Sequence, residues 1–160
     1  MKFSTRSLAL TAVIAALYVA LTVPLGELAS SQTVNIRPAE ALTLLPLLFV
    51  EAIPGVAIGC LLTNYLTGAV PADVLLGALI TLAAAVLTRL AKKPLPGAVP
   101  PILLNALLLP VIWAVFAGSA EFYPIAAAKV LATQAVWVLG LGLPLLYTLK
   151  RLRVDERFLR

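Results

Sequence analysis

A chain of 160 residues, 62% of them hydrophobic and 12% charged, carries more apolar surface than a water-soluble domain of its size can hide in one core, so lipid is its expected solvent. The single cysteine, Cys60, excludes a disulfide framework and any multi-cysteine metal site, and the lack of histidine removes the commonest zinc ligand and the commonest general base. The net charge of +5 is read by position, because basic residues in a membrane protein report orientation before they report partners.

A helix needs about 20 apolar residues to cross a hydrocarbon core of about 30 Å. The expected crossings run roughly from Ser7 to Val23, Ala39 to Val50, Ile53 to Thr67, Ala72 to Leu90, Ala98 to Ala117 and Tyr123 to Leu149. The second and third are short and are separated by Glu51 and Pro54, which fits either two tilted helices or a re-entrant hairpin. No convincing small-residue cleavage site follows the first, which is therefore read as a helix of the mature protein. Lys2 and Arg6 precede the first segment, Arg89, Lys92 and Lys93 lie between the fourth and fifth, and Lys150, Arg151, Arg153, Arg157 and Arg160 follow the sixth, so ten of the twelve basic residues share one side. That side is cytoplasmic by the positive-inside rule. The reading is a single all-α membrane domain over 1–160, with six transmembrane helices and both termini in the cytoplasm.

The external side then holds the unusual chemistry. Its longest loop runs from about Pro24 to Pro38, and Gln32 to Ile36 alternates polar and apolar like a short extended segment. Ala12, Ala16 and Ala20 form a small-residue stripe on the first helix, suited to close approach by another helix, inside the chain or outside it. Pro38 suits a first helical position with Glu40 in the first turn. Arg37 and Glu40 either pair at the membrane surface or line a pocket mouth, with Asn35 beside them. Asn64 is an amide in an apolar segment and requires partners, whether a helix or a ligand. Asp73 opens the fourth helix and is a plain helix-start residue on the simplest reading. Asn105 is read as structural and Cys60 as packing. Glu121 lies in the last external turn. Lys129 is costly inside a span unless paired or snorkelling, and Gln134 and Trp137 share a face three residues apart. Trp113 and Tyr123 are explained most simply as interfacial aromatics. No phosphate-binding loop and no hydrolase or metalloprotease motif is present. Catalysis and a cofactor are not expected, and the energy for any active transport must come from elsewhere.

The strings Val34 to Pro46, with Ile36-Arg37-Pro38-Ala39-Glu40, and Ala52 to Asn64, with Ile58-Gly59-Cys60, are the specific parts of a resemblance that spans nearly the whole chain. Asp73 to Gly77, Thr81-Leu82, Leu95-Pro96 to Pro101, Asn105-Ala106, Gln134-Ala135 and Leu139 to Leu145 extend it. The chain resembles the queuosine-precursor transporter (QueT) family, the substrate-binding S-components of energy-coupling-factor importers in the bacterial cell membrane. The resemblance implies capture of a 7-deazaguanine from outside, in partnership with a transmembrane coupling subunit and two cytoplasmic ATPases and with no nucleic-acid partner. It implies that Ala12, Ala16 and Ala20 dock the coupling subunit. It places the pocket among Asn35, Arg37, Glu40, Asn64, Asp73, Glu121, Tyr123, Lys129, Gln134 and Trp137. Glu40 or Glu121 would accept from the guanine edge, Asn64 or Gln134 would complete the hydrogen bonds, and Trp137 or Tyr123 would cover the ring. The family often has Glu at the position of Gln134. If Gln134 and Lys129 both face the pocket, a neutral ligand is favoured over a cationic one. The alternatives are an S-component for another heteroaromatic vitamin and a non-transporting membrane scaffold.

Overall fold

The computed structural model describes residues 4–30, 36–117 and 123–154. Helix α1 (Thr5–Thr22) is capped by Ser4, whose side chain accepts from the Ser7 amide. A short turn of 3₁₀ helix (Val23–Leu25) and α2 (Glu27–Ser30) follow. A 3₁₀ helix of ten residues (Pro38–Leu47), called the rod below, leads into α3 (Ala52–Leu66), α4 (Pro71–Ala91) and α5 (Pro94–Ala117). The last long helix is continuous from Tyr123 to Arg151 but changes winding on the way, as α6 (Tyr123–Ala135), a π-helical segment (Val136–Gly142) and α7 (Leu143–Arg151).

Among the described residues, four helices are long and apolar enough to cross a membrane: Thr5–Leu25, Pro71–Ala91, Pro94–Phe116 and Tyr123–Arg151. Their outer faces expose large apolar side chains such as Leu17, Leu79, Leu90, Val115 and Ile125, while Glu40, Asn64, Thr81, Asn105 and Gln134 are buried. That inversion is what hydrocarbon solvent selects.

The rod is the unexpected element. The apolar run suggests a short tilted α-helix or one arm of a re-entrant hairpin at Ala39 to Val50, yet the chain winds at three residues per turn, and residues 39–46 are buried on every side. Its ends can be placed by their bonds. At one end Arg37 reaches Asn64, which in turn bonds the first turn of α4. At the other, Arg89 in the last turn of α4 donates to the carbonyls of Pro46 at 2.9 Å and Leu47 at 3.2 Å. Glu51, just beyond, accepts from the Ser7 hydroxyl at the start of α1. A ten-residue 3₁₀ helix covers about 20 Å, and α3 brings the chain back, so residues 38–66 run the length of the bundle twice. Three residues per turn also stack Arg37, Glu40, Thr43 and Pro46 along one edge, and Ala41 and Leu44 along another. Arg89→Gln removes a charged donor from carbonyls that end the rod, and is expected to destabilise the protein by about 1–2 kcal/mol. Thermal melting in detergent checks this, with Arg89→Lys intermediate.

Small residues set the helix spacing. A β-carbon at Gly55 would lie 3.0 Å from Ile14 Cβ, and one at Gly59 would lie 2.5 Å from Tyr18 Cβ, so α1 and α3 touch backbone to side chain over two consecutive turns. At Gly142 a β-carbon would come within 3.0 Å of the Ala41 carbonyl oxygen and 3.2 Å of Leu44 Cδ1. The π segment thus lies directly on the second edge of the rod.

Candidate functional site

Five elements bring polar side chains into the middle and far half of the bundle, away from the basic clusters. Helix α1 supplies Tyr18, held at its depth by contact with Gly59. The rod supplies Arg37 and Glu40 on one edge, α3 supplies Cys60 and Asn64 one turn apart, α4 supplies Asp73, and α5 supplies Asn105 and Trp113.

The hydrogen bonds link these into two connected groups. Glu40, only 1% exposed, accepts from the Tyr18 hydroxyl at 2.7 Å and the Asn105 amide at 3.4 Å. Thr43 donates to the Glu40 carbonyl at 2.6 Å, which fixes the rod beneath it. In the second group the Arg37 guanidinium donates to Asn64 Oδ1, and Asn64 Nδ2 donates to the Asp73 carbonyl at 2.9 Å. The Trp113 indole donates to Asp73 Oδ2 at 3.0 Å.

Several buried polar atoms have no hydrogen-bond partner among the described residues: Arg37 Nε, Asp73 Oδ1, Gln134 Oε1, Thr22 Oγ1 and Thr63 Oγ1. Each such atom costs about 1–3 kcal/mol in an apolar interior, and native proteins rarely carry many of them. Here they include a guanidinium donor, a carboxylate acceptor and an amide acceptor. A planar ligand with both N–H donors and a carbonyl is the kind of molecule that satisfies such a mixture.

Of the residues singled out from sequence, Arg37, Glu40, Asn64, Asp73 and Gln134 are buried. Arg37 and Glu40 do not settle on each other; each takes the neighbours described above. Asp73 is more than a helix-start residue, because its side chain is buried against Trp113. Asn105, read as structural, bonds Glu40, whereas Trp113 requires correction: it is 3% exposed, within the protein and not at its lipid boundary. Tyr123 is half-buried with its hydroxyl on the Leu107 carbonyl, and Trp137 is half-buried in the π segment. Lys129 is exposed on α6. Asn35 and Glu121 lie outside the described residues, as do Gln32 to Asn35 of the alternating segment. Ala12, Ala16 and Ala20 are all exposed, on the side of α1 turned away from Ile14, Tyr18 and Thr22. Sequence reading passed over Tyr18 altogether. The available signal was a tyrosine on the helix face that carries Ile14 and Thr22, too deep for an interfacial aromatic.

The family model described as QueT transporter matches residues 8–151, nearly the whole chain. No curated protein and no solved structure matches it.

Proposed function

The chain belongs to the QueT transporter family, and from that premise we propose that it is the non-catalytic, substrate-binding S-component of an energy-coupling-factor importer, capturing a queuosine precursor of the 7-deazaguanine class. Membership makes it a multi-pass membrane transport protein. The finer reading rests on one observation, the set of buried polar atoms left open beside Arg37, Asp73 and Gln134. A guanine-like edge presents N–H donors next to a carbonyl. Asp73 Oδ1 and Gln134 Oε1 would accept from the donors, and Arg37 Nε would donate to the carbonyl. Glu40 already carries Tyr18 and Asn105, and acts from behind by fixing the rod edge that presents Arg37. Asn35, Glu121, Tyr123 and Trp137 are the candidates to close the site from above and to cover the ring, and Lys129 is a candidate at its periphery.

The proposed topology has six crossings with both ends cytoplasmic, supported by the four long helices together with the rod and α3 and by the placement of the basic residues. The exposed stripe of Ala12, Ala16 and Ala20 is the proposed seat of the transmembrane coupling subunit, whose two ATPases supply the energy. The test is calorimetry on the purified chain. Binding of a 7-deazaguanine with a Kd of about 1 μM or tighter, without competition from thiamine or riboflavin, is the expected result. No detectable heat or displacement with any 7-deazaguanine would overturn the ligand assignment.

A further inference from the structure

Two buried hydroxyls have no role in the site as described so far. Thr22, the last residue of α1, and Thr63 in α3 are both 0% exposed, and neither hydroxyl has a hydrogen-bond partner among the described residues. A buried helical threonine has an easy partner in the carbonyl four residues back. Thr81, Thr133 and Thr148 take it, at 3.0, 3.1 and 2.8 Å. Thr22 and Thr63 have the Tyr18 and Gly59 carbonyls at the same spacing and leave them, so both hydroxyls are turned away from their own helices.

The register of the helices places the two together. Gly55 packs on Ile14 and Gly59 on Tyr18, so α1 and α3 run side by side in one direction, and the next step of four pairs Thr22 with Thr63. The rod runs the opposite way beside them. Tyr18 bonds Glu40, and Arg37 lies three residues before Glu40, about 6 Å nearer the same end as Thr22 and Thr63. Arg37 also reaches Asn64, the residue next to Thr63. Thr22, Thr63 and Arg37 therefore share one layer, a turn beyond the Tyr18–Glu40 bond, and each brings to it a polar atom that bonds nothing, Oγ1, Oγ1 and Nε.

We infer that Thr22 and Thr63 are ligand contacts, and that the seam between α1 and α3 receives the ligand's carbonyl oxygen beside Arg37 Nε. The inference rests on the ligand class proposed above and adds a wall to its site. A carbonyl oxygen accepts two hydrogen bonds. One comes from Arg37 Nε and the other from a threonine hydroxyl, which in turn accepts from the second threonine. One ligand atom thus satisfies three buried groups, and an amino group in its place would meet the guanidinium donor to donor.

The test pairs calorimetry with 7-deazaguanine and thermal melting of the empty protein in detergent, on the full chain. Thr22→Val and Thr63→Val keep the side-chain shape and remove the hydroxyl. Each should bind about threefold to tenfold more weakly, the scale of one neutral hydrogen bond. Each should melt at the parent's temperature or above it, because the empty protein loses a buried hydroxyl that bonds nothing. A hydroxyl that only holds the helices together would move melting down. Thr22→Ser and Thr63→Ser keep the hydroxyl and should bind close to the parent. Valine variants that bind like the parent, melt lower or fail to fold overturn the inference and leave the ligand class standing, as do serine variants that bind no better than the valine ones. A parent protein that binds no 7-deazaguanine overturns the ligand class itself.

Discussion

Glu40→Ala should lower stability by about 3–5 kcal/mol and abolish ligand binding. The substitution strips the acceptor from two donors, the Tyr18 hydroxyl and the Asn105 amide, both enclosed in the interior. Each buried donor left without a partner costs about 1–3 kcal/mol, and the lost side chain adds a cavity. The binding loss follows from the rod: Arg37 and Glu40 lie on one edge, and freeing Glu40 from Tyr18 and Asn105 frees the edge that aims the guanidinium. Glu40→Gln is the control: it preserves the shape and an acceptor and so keeps the rod edge in place, and it should both melt and bind much closer to the parent than Glu40→Ala does. If Glu40→Ala melts like the parent, the bonds to Tyr18 and Asn105 contribute nothing to the fold.

Gly59→Leu should prevent stable assembly of α1 against α3, and Gly59→Ala should destabilise by about 2–3 kcal/mol. Even one added carbon would lie 2.5 Å from Tyr18 Cβ. That neighbour is fixed to the α1 backbone and cannot swing away, so the helices must separate. Separation withdraws the Tyr18 hydroxyl from Glu40, and ligand affinity should fall together with the melting temperature. Gly140 gives the comparison, since a β-carbon there meets nothing within 4 Å. Gly140→Ala should leave melting unchanged or raise it slightly, because alanine is the better helix former. Equal behaviour of the two alanine variants would mean that Gly59 has no role in packing.

The long helices were legible because lipid imposes a simple rule, an uninterrupted apolar run bounded by turns and basic residues. Helices α1, α4 and α5 and the Tyr123–Arg151 helix begin and end within a few residues of the expected places. The winding of residues 38–47 was not legible: apolar on every face, the segment carries no periodicity to distinguish three residues per turn from 3.6. The π segment was hidden for a similar reason, since Val136 to Gly142 contains nothing that marks a change of pitch. Among polar residues, Glu40 and Asn64 stood out because an acid and an amide are costly in lipid. Trp113 and Tyr18 were misread or passed over because each has an ordinary role at its depth, and their partners lie 40 and 22 residues away in the chain.

Three-fold winding gives the stretch from Pro38 to Leu47 a property that ordinary helices share less strictly. Each residue belongs to one of three edges, and an inserted or deleted residue carries everything beyond it to the next edge, a rotation of about 120°. Glu40 would leave Tyr18, or Ala41 and Leu44 would leave Gly142, depending on where the change fell. This part of the gene should therefore behave like a reading frame in protein form. It should tolerate exchanges of apolar side chains of similar size but not a change in residue number, and a compensating insertion and deletion should restore function only when both fall between the same two contacts.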